Sequence, residues 1–596
     1  MNRCARAVFQ GRVYQNLAML FCLLFGLAII VNTELSGNPM WFWYAMLFHR
    51  GAKLYADLHL AFQPLFILEL DAWMRLAGDK CLVSVVPSVI HLIALCLGIQ
   101  LVLRESPWPD WQKAIVLAST FLICIHFSAY LFDDFHVVSD IFYIYSLVLL
   151  LNLAKADAAA RQVGLAAALG VLSGLAVTTR INDGAALLAS AGICLLVLAR
   201  KRKLLVAGLF VAVAALTPVL VVLITGDSFH EYISNSILRA AASKGGSGSL
   251  LADTFLMFSN AIKVLHAGGR WILLWVAVIF AVGAIAQKYW GIRDKYAIAA
   301  QFGIAAVGFA ISSPLGREQL LSGALLGELS IVSVAVIYLL SLIIIVRCLM
   351  WGSGHWKSDL DAREILVLVL LFWLASGSTS SGGSPQNFFE MMAVLFLLLP
   401  VIQPFGKQAN WANTSVLPIL VLLGVSGAIS KMQIPYEWQS THFSPMFESR
   451  EWYQHPVFGP MYIERDQLQF VVPICEEIRQ GNPKPELLSL PFPYPNYFCD
   501  IPPWHGYVQT FFDTSTRAAI LGLIQELRTD PPQWIVYQRQ LRILVLHELV
   551  YHHGQSLAQR DLDDLIMQKI ATGQWQLVEK RHYLPGDGWL IIRTRP

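Results

Sequence analysis

Charge is what this sequence has least of. Only 14% of its 596 residues are Asp, Glu, Lys or Arg, against 56% that are apolar, and its mean hydropathy is +0.56. So few charged groups cannot cover the surface of a soluble protein of this size, and a soluble globular enzyme is excluded. Net charge is nearly absent too, at +3. The basic residues stand in short clusters between apolar segments and form no continuous stripe, which excludes a nucleic-acid partner. There is no repeat of fixed period. A nucleotide loop is also missing: Ser243-Lys-Gly-Gly-Ser-Gly does not have the order of a phosphate-binding loop. His547-Glu-Leu-Val-Tyr-His552 is one residue too long for a zinc-protease helix, because five helical steps set its histidines about 140° apart. Of nine cysteines, seven (Cys4, Cys22, Cys81, Cys96, Cys124, Cys194, Cys348) lie in or beside apolar segments, where cysteine acts as a small hydrophobe. Cys475 and Cys499 alone fall in the polar C-terminal part, and if that part is outside the cytoplasm a disulfide between them is open to form.

What is present is a succession of apolar runs. A span needs roughly 20 residues, and by that measure thirteen are expected: 14–34, 81–103, 112–130, 137–154, 162–179, 184–199, 204–225, 270–287, 297–312, 329–348, 363–377, 388–404 and 414–430. The first follows Arg3, Arg6 and Arg12 without a small-residue cleavage site, so it reads as a retained span. Alternate connections hold the basic residues: Arg104 and Lys113, Lys155 and Arg161, Arg200-Lys-Arg-Lys203, Lys288 with Arg293 and Lys295, then Arg347, Lys357 and Arg363. Those connections are expected in the cytoplasm with the N-terminus. An odd number of spans then places everything after residue 430 outside.

The expected architecture is therefore a transmembrane domain over 1–430 and a small extracytoplasmic α/β domain over 431–596. Two outer loops, 35–80 and 226–270, are long. The first contains an amphipathic piece at 66–76 with Glu69, Asp71 and Arg75 on its polar side. The second begins with an interfacial helix in which Tyr232, Ile233, Ser236, Ile237 and Ala240 share helical spacing. A flexible Ser243–Ser249 linker follows, and together they suggest a mobile lid. In the tail, a Pro/aromatic segment at 491–505 suits acceptor binding or domain packing. It precedes a helix near 515–528, a strand at 533–538, a helix around 556–571 and a hairpin of 575–579 with 589–593.

Acids at the outer surface stand out against this apolar background. Asp57 lies in Gly51-Ala-Lys-Leu-Tyr-Ala-Asp-Leu-His-Leu-Ala-Phe-Gln-Pro-Leu65, after the first span; Asp133-Asp134-Phe-His136 fills the short turn between spans three and four, and Asp140 follows. Carboxylates beside hydrocarbon are costly and point to function. The competing reading is that a short turn uses Asp for capping.

Gly51, Leu54-Tyr55-x-Asp57 and Gln63-Pro64-Leu65 after span one, an acidic turn after span three, about a dozen spans and an outer C-terminal domain resemble the GT-C superfamily of membrane glycosyltransferases. Aminoarabinose transferases and protein O-mannosyltransferases are the members most similar in pattern. The resemblance implies a multi-span α-helical GT-C-like fold in the inner membrane. It also implies transfer of a sugar from a polyprenyl-phosphate donor to a lipid, glycan or protein acceptor. Asp57 then matches the family's first-loop general base, and Asp133 or Asp134 its second acid. One departure is that the mannosyltransferase form has a second acid after the first, where Leu58 and His59 stand here.

Such chemistry needs a carboxylate to accept a proton and cations or a metal to stabilise the departing phosphate. Substrate-binding candidates are Tyr55, Lys53, His59, Gln63, His136, Arg239 and Arg270, with Lys244, His266 and Arg317 as further outer cations. No cofactor is required; a divalent metal on Asp133, Asp134 and His136 is an option. Arg180 and Asp183 read as a structural ion pair. Ser376–Asn387 could line a sugar site or simply break two helices. The alternative from another class is a transporter or lipid flippase of the cell envelope, which predicts acids at mid-membrane and internal pseudo-symmetry.

Overall fold

The computed structural model describes residues 3–239 and 415–595, with six residues between 278 and 285. Breaks fall at 38–39, 126–130, 200–201, 436, 439–440, 443–444, 447, 481, 483, 513, 540, 552–553 and 582–587. Five expected spans, from 270–287 to 388–404, lie wholly or mostly outside the described residues, as does Ser376–Asn387.

Seven segments among the described residues are long and apolar enough to cross a membrane: Val13–Thr33, Cys81–Leu103, Phe135–Ala154, Ala159–Thr179, Ile181–Leu198, Lys203–Thr225 and Val416–Gln433. They belong to α1 (Arg3–Thr33), α4 (Val85–Leu103, entered through a 3-10 turn), α6 (Phe135–Ala154), α7 (Ala159–Thr179), α8 (Ile181–Leu198), α9 (Lys203–Thr225) and α11 (Val416–Gln433). The described part of α5 (Asp110–Ile125) packs against α1 and α11. With no water to be released between helices in lipid, close packing must supply the attraction. Gly170 and Gly174 provide it on α7: a Cβ there would stand 2.8 Å from the Phe210 carbonyl and 2.9 Å from the Ala214 carbonyl of α9.

Between α1 and α4, the chain forms α2 (Trp41–His49) and α3 (Leu65–Ala77). The amphipathic piece expected at 66–76 is thus a helix, but its polar side is not simply solvated. Asp71 is buried between His49 Nδ1 at 2.9 Å and Arg75 Nε at 2.7 Å. After α9 come α10 (Phe229–Tyr232) and a π-helical run, Ile233–Arg239.

The C-terminal domain opens with short strands β1 (Glu437–Trp438) and β2 (Thr441–His442), then the hairpin β3 (Arg450–His455) and β4 (Gly459–Glu464). Its main sheet has the order β5-β6-β8-β7, from β5 (Leu487–Leu490), β6 (Trp534–Gln538), β7 (Gln576–Arg581) and β8 (Trp589–Arg593). β5 runs parallel to β6; the other pairs are antiparallel. Side-chain alternation along a strand divides the core. Ile535 and Tyr537 of β6, with Leu590 and Ile592 of β8, face α14 (Arg517–Thr529) and α16 (Ala558–Ala571). Trp534, Val536, Trp589 and Ile591 join α12 (Arg465–Arg479) on the other face. The strand, helices and hairpin expected after residue 515 are present. The β3–β4 hairpin, α12, β5, α13 (Tyr494–Cys499) and α15 (Leu541–Tyr551) are additional. Pro473 inside α12 disguises it in the sequence. Cys475 of α12 and Cys499 of α13 form a disulfide, their Cα atoms 5.2 Å apart.

The second face of the sheet is where the two domains meet. One hydrophobic core contains Trp41, Phe42, Trp43, Tyr55 and Leu58 of the first loop together with Phe458, Tyr497, Val536 and Ile591 of the C-terminal domain. Tyr497 Oη donates to the Ser36 carbonyl at 3.0 Å, the Cys81 amide to Phe458 at 3.0 Å and the Tyr462 amide to Leu35 at 3.2 Å. The first loop is thereby built into the domain above it.

Candidate active site

Residues 53–60 fold back on themselves at this junction. The amides of Asp57 and Leu58 donate to the Lys53 carbonyl at 3.2 and 3.1 Å, and Leu60 donates to Leu54 at 2.9 Å. Asp57 closes the turn with its side chain: Oδ2 accepts the Lys53 amide at 2.8 Å. Its carboxylate is exposed, and Oδ1 makes no hydrogen bond among the described residues. A local bond that fixes one carboxylate oxygen while leaving the other open suits a group that must collect a proton from a bound molecule. Lys53 is exposed, whereas Tyr55 and Gln63 are buried and serve the turn as structure. Tyr55 Oη donates to the Phe62 carbonyl at 3.0 Å.

The segment after α9 grips this turn. Ser228 caps α10 and forms a capping box with Glu231. Tyr232 at the end of α10, with Asn235 and Ser236 of the following π-helical run, faces the first loop. Tyr232 Oη donates to Gln63 Oε1 at 2.6 Å, and Asn235 Nδ2 donates to the Tyr55 carbonyl at 3.2 Å. Asp227 Oδ1 accepts the amides of Tyr55 and Ala56 at 3.2 and 3.1 Å. The expected helix at 230–240 therefore exists, but its inner face carries Tyr232 and Ser236 while Ile233 is exposed. The linker at 243–249 and the rest of the expected lid lie outside the described residues.

Arg239 ends this run, half-buried, with one guanidinium nitrogen donating to Asn235 Oδ1 at 3.3 Å and a buried Nε that has no partner among the described residues. Burial pushes its pKa down, with Tyr44 and Tyr507 opposing. His59 lies nearby; burial, reinforced by the Arg239 charge, lowers its imidazole below 6.5 against the pull of Glu526 and Asp57. A half-buried imidazole held toward its neutral form, near a guanidinium whose Nε is unpaired among the described residues, can receive an anionic group.

The C-terminal domain completes the surroundings. His505 and Gly506 take left-handed backbone at φ 48° and 76°, and His59 does so at 49° across the junction. Left-handed non-glycine residues are held only when the surroundings demand it, and such strain gathers at working sites. Gly506 touches the loop so closely that a Cβ would stand 1.8 Å from the Asp57 carbonyl oxygen. Beyond it, Glu526 accepts from His505 Nδ1 at 2.8 Å and Tyr507 Oη at 2.9 Å, and the Tyr507 ring centre is 5.9 Å from that of His59. Burial and the bond to Glu526 push the Tyr507 hydroxyl up.

The second acidic turn is built differently. Asp134 is the N-cap of α6: Oδ1 accepts the His136 amide at 2.9 Å and His136 Nδ1 at 2.7 Å. Asp133 is buried, 1% exposed, in the field of Cys81 and Tyr497. Buried Glu34, at the end of α1, holds this turn by accepting the Phe132 amide at 2.6 Å. Aromatic contacts connect the two acidic turns. Phe135 lies 5.1 Å from Trp41 and 6.1 Å from Phe62, and Trp41 lies 4.9 Å from Phe62. Arg180 pairs with Asp183 at 2.8 Å, as expected, and also covers the Phe135 ring. Among the described residues, no three His, Cys, Asp or Glu side chains converge as metal ligands. Arg270, Lys244, His266 and Arg317 lie outside the described residues.

Sequence reasoning missed Asp227, Asn235, Glu34 and the 505–507 elbow with Glu526. Ser228-x-x-Glu231 is a legible helix start just after Asp227; the others become visible only when distant segments meet.

The chain is similar to ArnT. Crystal structures of ArnT from Cupriavidus metallidurans bound to undecaprenyl phosphate and in the apo state each match at 13% identity with a TM-score of 0.41. The first match covers 97% of both chains and the second 98%. No family model matches the sequence, and no curated protein matches it. So distant a likeness assigns no reaction to this chain, whose function rests on its own residues.

Proposed function

We propose that this protein is an integral membrane glycosyltransferase that moves a sugar from a polyprenyl-phosphate donor to a lipid, glycan or protein acceptor at the outer face of the inner membrane. The observation that carries the reading is the Asp57 carboxylate, exposed at the helix ends on a turn fixed from several sides, with Oδ1 open. As general base it takes the proton of the acceptor hydroxyl as that oxygen attacks the sugar carbon. Arg239 and Lys53 offset the charge that develops on the departing lipid phosphate. His59, neutral at physiological pH, is a hydrogen-bonding wall, and Tyr55 and Gln63 shape the turn. Asp133 or Asp134 supports the site through the aromatic contact between the two turns, with His136 as Asp134's partner. Arg270 is a further cation for the phosphate. The Cys475–Cys499 disulfide supports an outer, oxidising location for residues 431–596, because such bonds persist outside the cytoplasm.

The test is transfer of labelled sugar from polyprenyl-phosphate donors by the purified full-length protein. Wild type should transfer and Asp57→Asn should not; equal transfer by both would remove Asp57 as the base. The absence of transfer with any polyprenyl-phosphate sugar, alongside donor-independent movement of lipid across vesicles, would favour the flippase instead.

A further inference from the structure

Asp227 has no place in the chemistry above, yet it is 8% exposed in a part of the chain where burying a carboxylate is costly. It stands two residues past the end of α9, just after Gly226, which takes left-handed backbone at φ 72°. That glycine ends the helix and turns the chain so that Asp227 reaches the first loop, more than 170 residues earlier in sequence. Oδ1 then accepts two consecutive amides, Tyr55 at 3.2 Å and Ala56 at 3.1 Å. Thr225 Oγ1 accepts the Asp227 amide at 3.2 Å and fixes the acid's own backbone. On the far side of the same peptide, Asn235 Nδ2 donates to the Tyr55 carbonyl at 3.2 Å. One residue of the first loop is thus held through both its N–H and its C=O by a single segment, 227–235. Tyr232 fastens the loop's downstream end through Gln63 at 2.6 Å.

We infer that Asp227 and Asn235 form a clamp on the peptide of Tyr55 that positions the Asp57 carboxylate, Asp227 acting as a positioning residue for the proposed sugar transfer. The inference rests on that proposed reaction for its kinetic consequence, but the clamp itself does not depend on it. Physically, Tyr55 and Ala56 immediately precede Asp57, and the only side-chain bond that Asp57 makes among the described residues is the local one to the Lys53 amide. That bond sets the carboxylate relative to the turn, whereas the clamp sets the turn relative to α9 and the membrane. Two amides on one buried carboxylate oxygen are charge-assisted bonds and stronger than neutral ones. A general base displaced by about 1 Å loses rate on the order of 10²-fold.

Two measurements on the full-length protein in lipid nanodiscs test this. Hydrogen exchange over peptides covering 51–60 reads the clamp directly: Asp227→Ala should speed exchange of the Tyr55 and Ala56 amides, and Asp227→Asn, which keeps one accepting oxygen, should leave them protected. Transfer kinetics read the consequence: Asp227→Ala should lower kcat by on the order of 10²-fold with KM for the donor within about twofold, and Asp227→Asn should recover most of the rate. Asn235→Ala releases the other edge and takes the place of Asp227→Ala if that variant does not fold. Unchanged exchange in the alanine variants overturns the clamp. Faster exchange with unchanged kcat, or a loss confined to KM, overturns the positioning role. If wild type transfers no sugar, the proposed reaction fails, while the exchange result still decides whether the clamp exists.

Discussion

Two turns at the same end of this molecule carry the same three-residue pattern, an aspartate followed two positions later by a histidine. They use it in opposite ways. In Asp134-Phe135-His136 the acid closes on its own neighbour, taking both the backbone and the ring N–H of His136 and starting α6. In Asp57-Leu58-His59 the acid turns back to the Lys53 amide, and left-handed backbone at His59 directs the imidazole toward Tyr507 of the C-terminal domain. The first arrangement uses up a carboxylate oxygen in a helix cap and buries the rest; the second leaves an oxygen facing outward. An acid beside a membrane is therefore not in itself a base. Both turns are braced from outside, one by Glu34 on the Phe132 amide and the other by Asp227 and Asn235 on the peptide of Tyr55, so what distinguishes the two is how many lone pairs of the acid the fold has already engaged.

The largest effect should come from substituting each acid in turn. Asp57→Asn removes the proton acceptor and should lower transfer by about 10²–10⁴-fold, the usual contribution of a general base. Asp134→Asn keeps a residue that caps as well as Asp, so stability should change by less than about 1 kcal/mol and the rate should fall far less. An equal collapse in both variants, measured at matched thermal stability, would erase the distinction between the turns and make Asp134 part of the chemistry.

The Asp57 turn also depends on the C-terminal domain more directly than the Asp134 turn does. Opening the Cys475–Cys499 disulfide, which closes a 24-residue separation, should cost the domain about 3 kcal/mol in the chain-entropy account. Cys499→Ser should accordingly lower the melting temperature of the full chain and weaken transfer, with a mild reductant doing the same to wild type. A smaller and more local disturbance is Gly506→Ala. The added methyl meets the Asp57 carbonyl and sits on backbone that costs an L-residue roughly 1–2 kcal/mol. A fall in kcat of about tenfold is expected, with Asp57→Asn showing no further loss from it. Full activity in Gly506→Ala would mean that the elbow does not brace the base.

How much of this was legible beforehand differs by level. Hydropathy and length gave the spans of α1, α4, α6 to α9 and α11, and the described part of α5, to within a few residues at most of their ends, because in lipid a span has almost no other solution; α2 lies inside the stretch that hydropathy reads as an outer loop. Within the C-terminal domain, α14, β6, α16 and the β7–β8 hairpin follow from periodicity and turn residues, while α12 is concealed by Pro473 and α13 by a proline-rich stretch. Asp57 stood out for its charge in an apolar setting. Asp227 carries the same charge beside the same surface and did not, because its task is defined by Tyr55 and Ala56, far off in the chain. Nor could spacing show that Asp134 caps a helix while Asp57 remains open, since the two patterns are alike.

The smallest expected effect concerns the histidines of the two turns, and it follows from their surroundings. His59 is held below 6.5 chiefly by burial and then by Arg239, with no carboxylate hydrogen-bonded to its ring among the described residues. The unfolded chain therefore binds a proton that the folded chain resists. The sign follows: the stability tied to His59 is intact above the unfolded value near 6.5 and is lost as pH falls toward the lowered folded value. His59→Gln should accordingly flatten the dependence of melting temperature on pH between about 7.5 and 5.5 without changing its level at the upper end. A protonated His59 would also place positive charge beside Asp57 and disfavour its taking a proton, so the acidic limb of kcat should move to lower pH in the variant. His136→Gln, made in the turn whose acid already holds its histidine at 2.7 Å, should leave that limb where it was. A shift of the limb by His136→Gln and not by His59→Gln would reverse the assignment of the two turns.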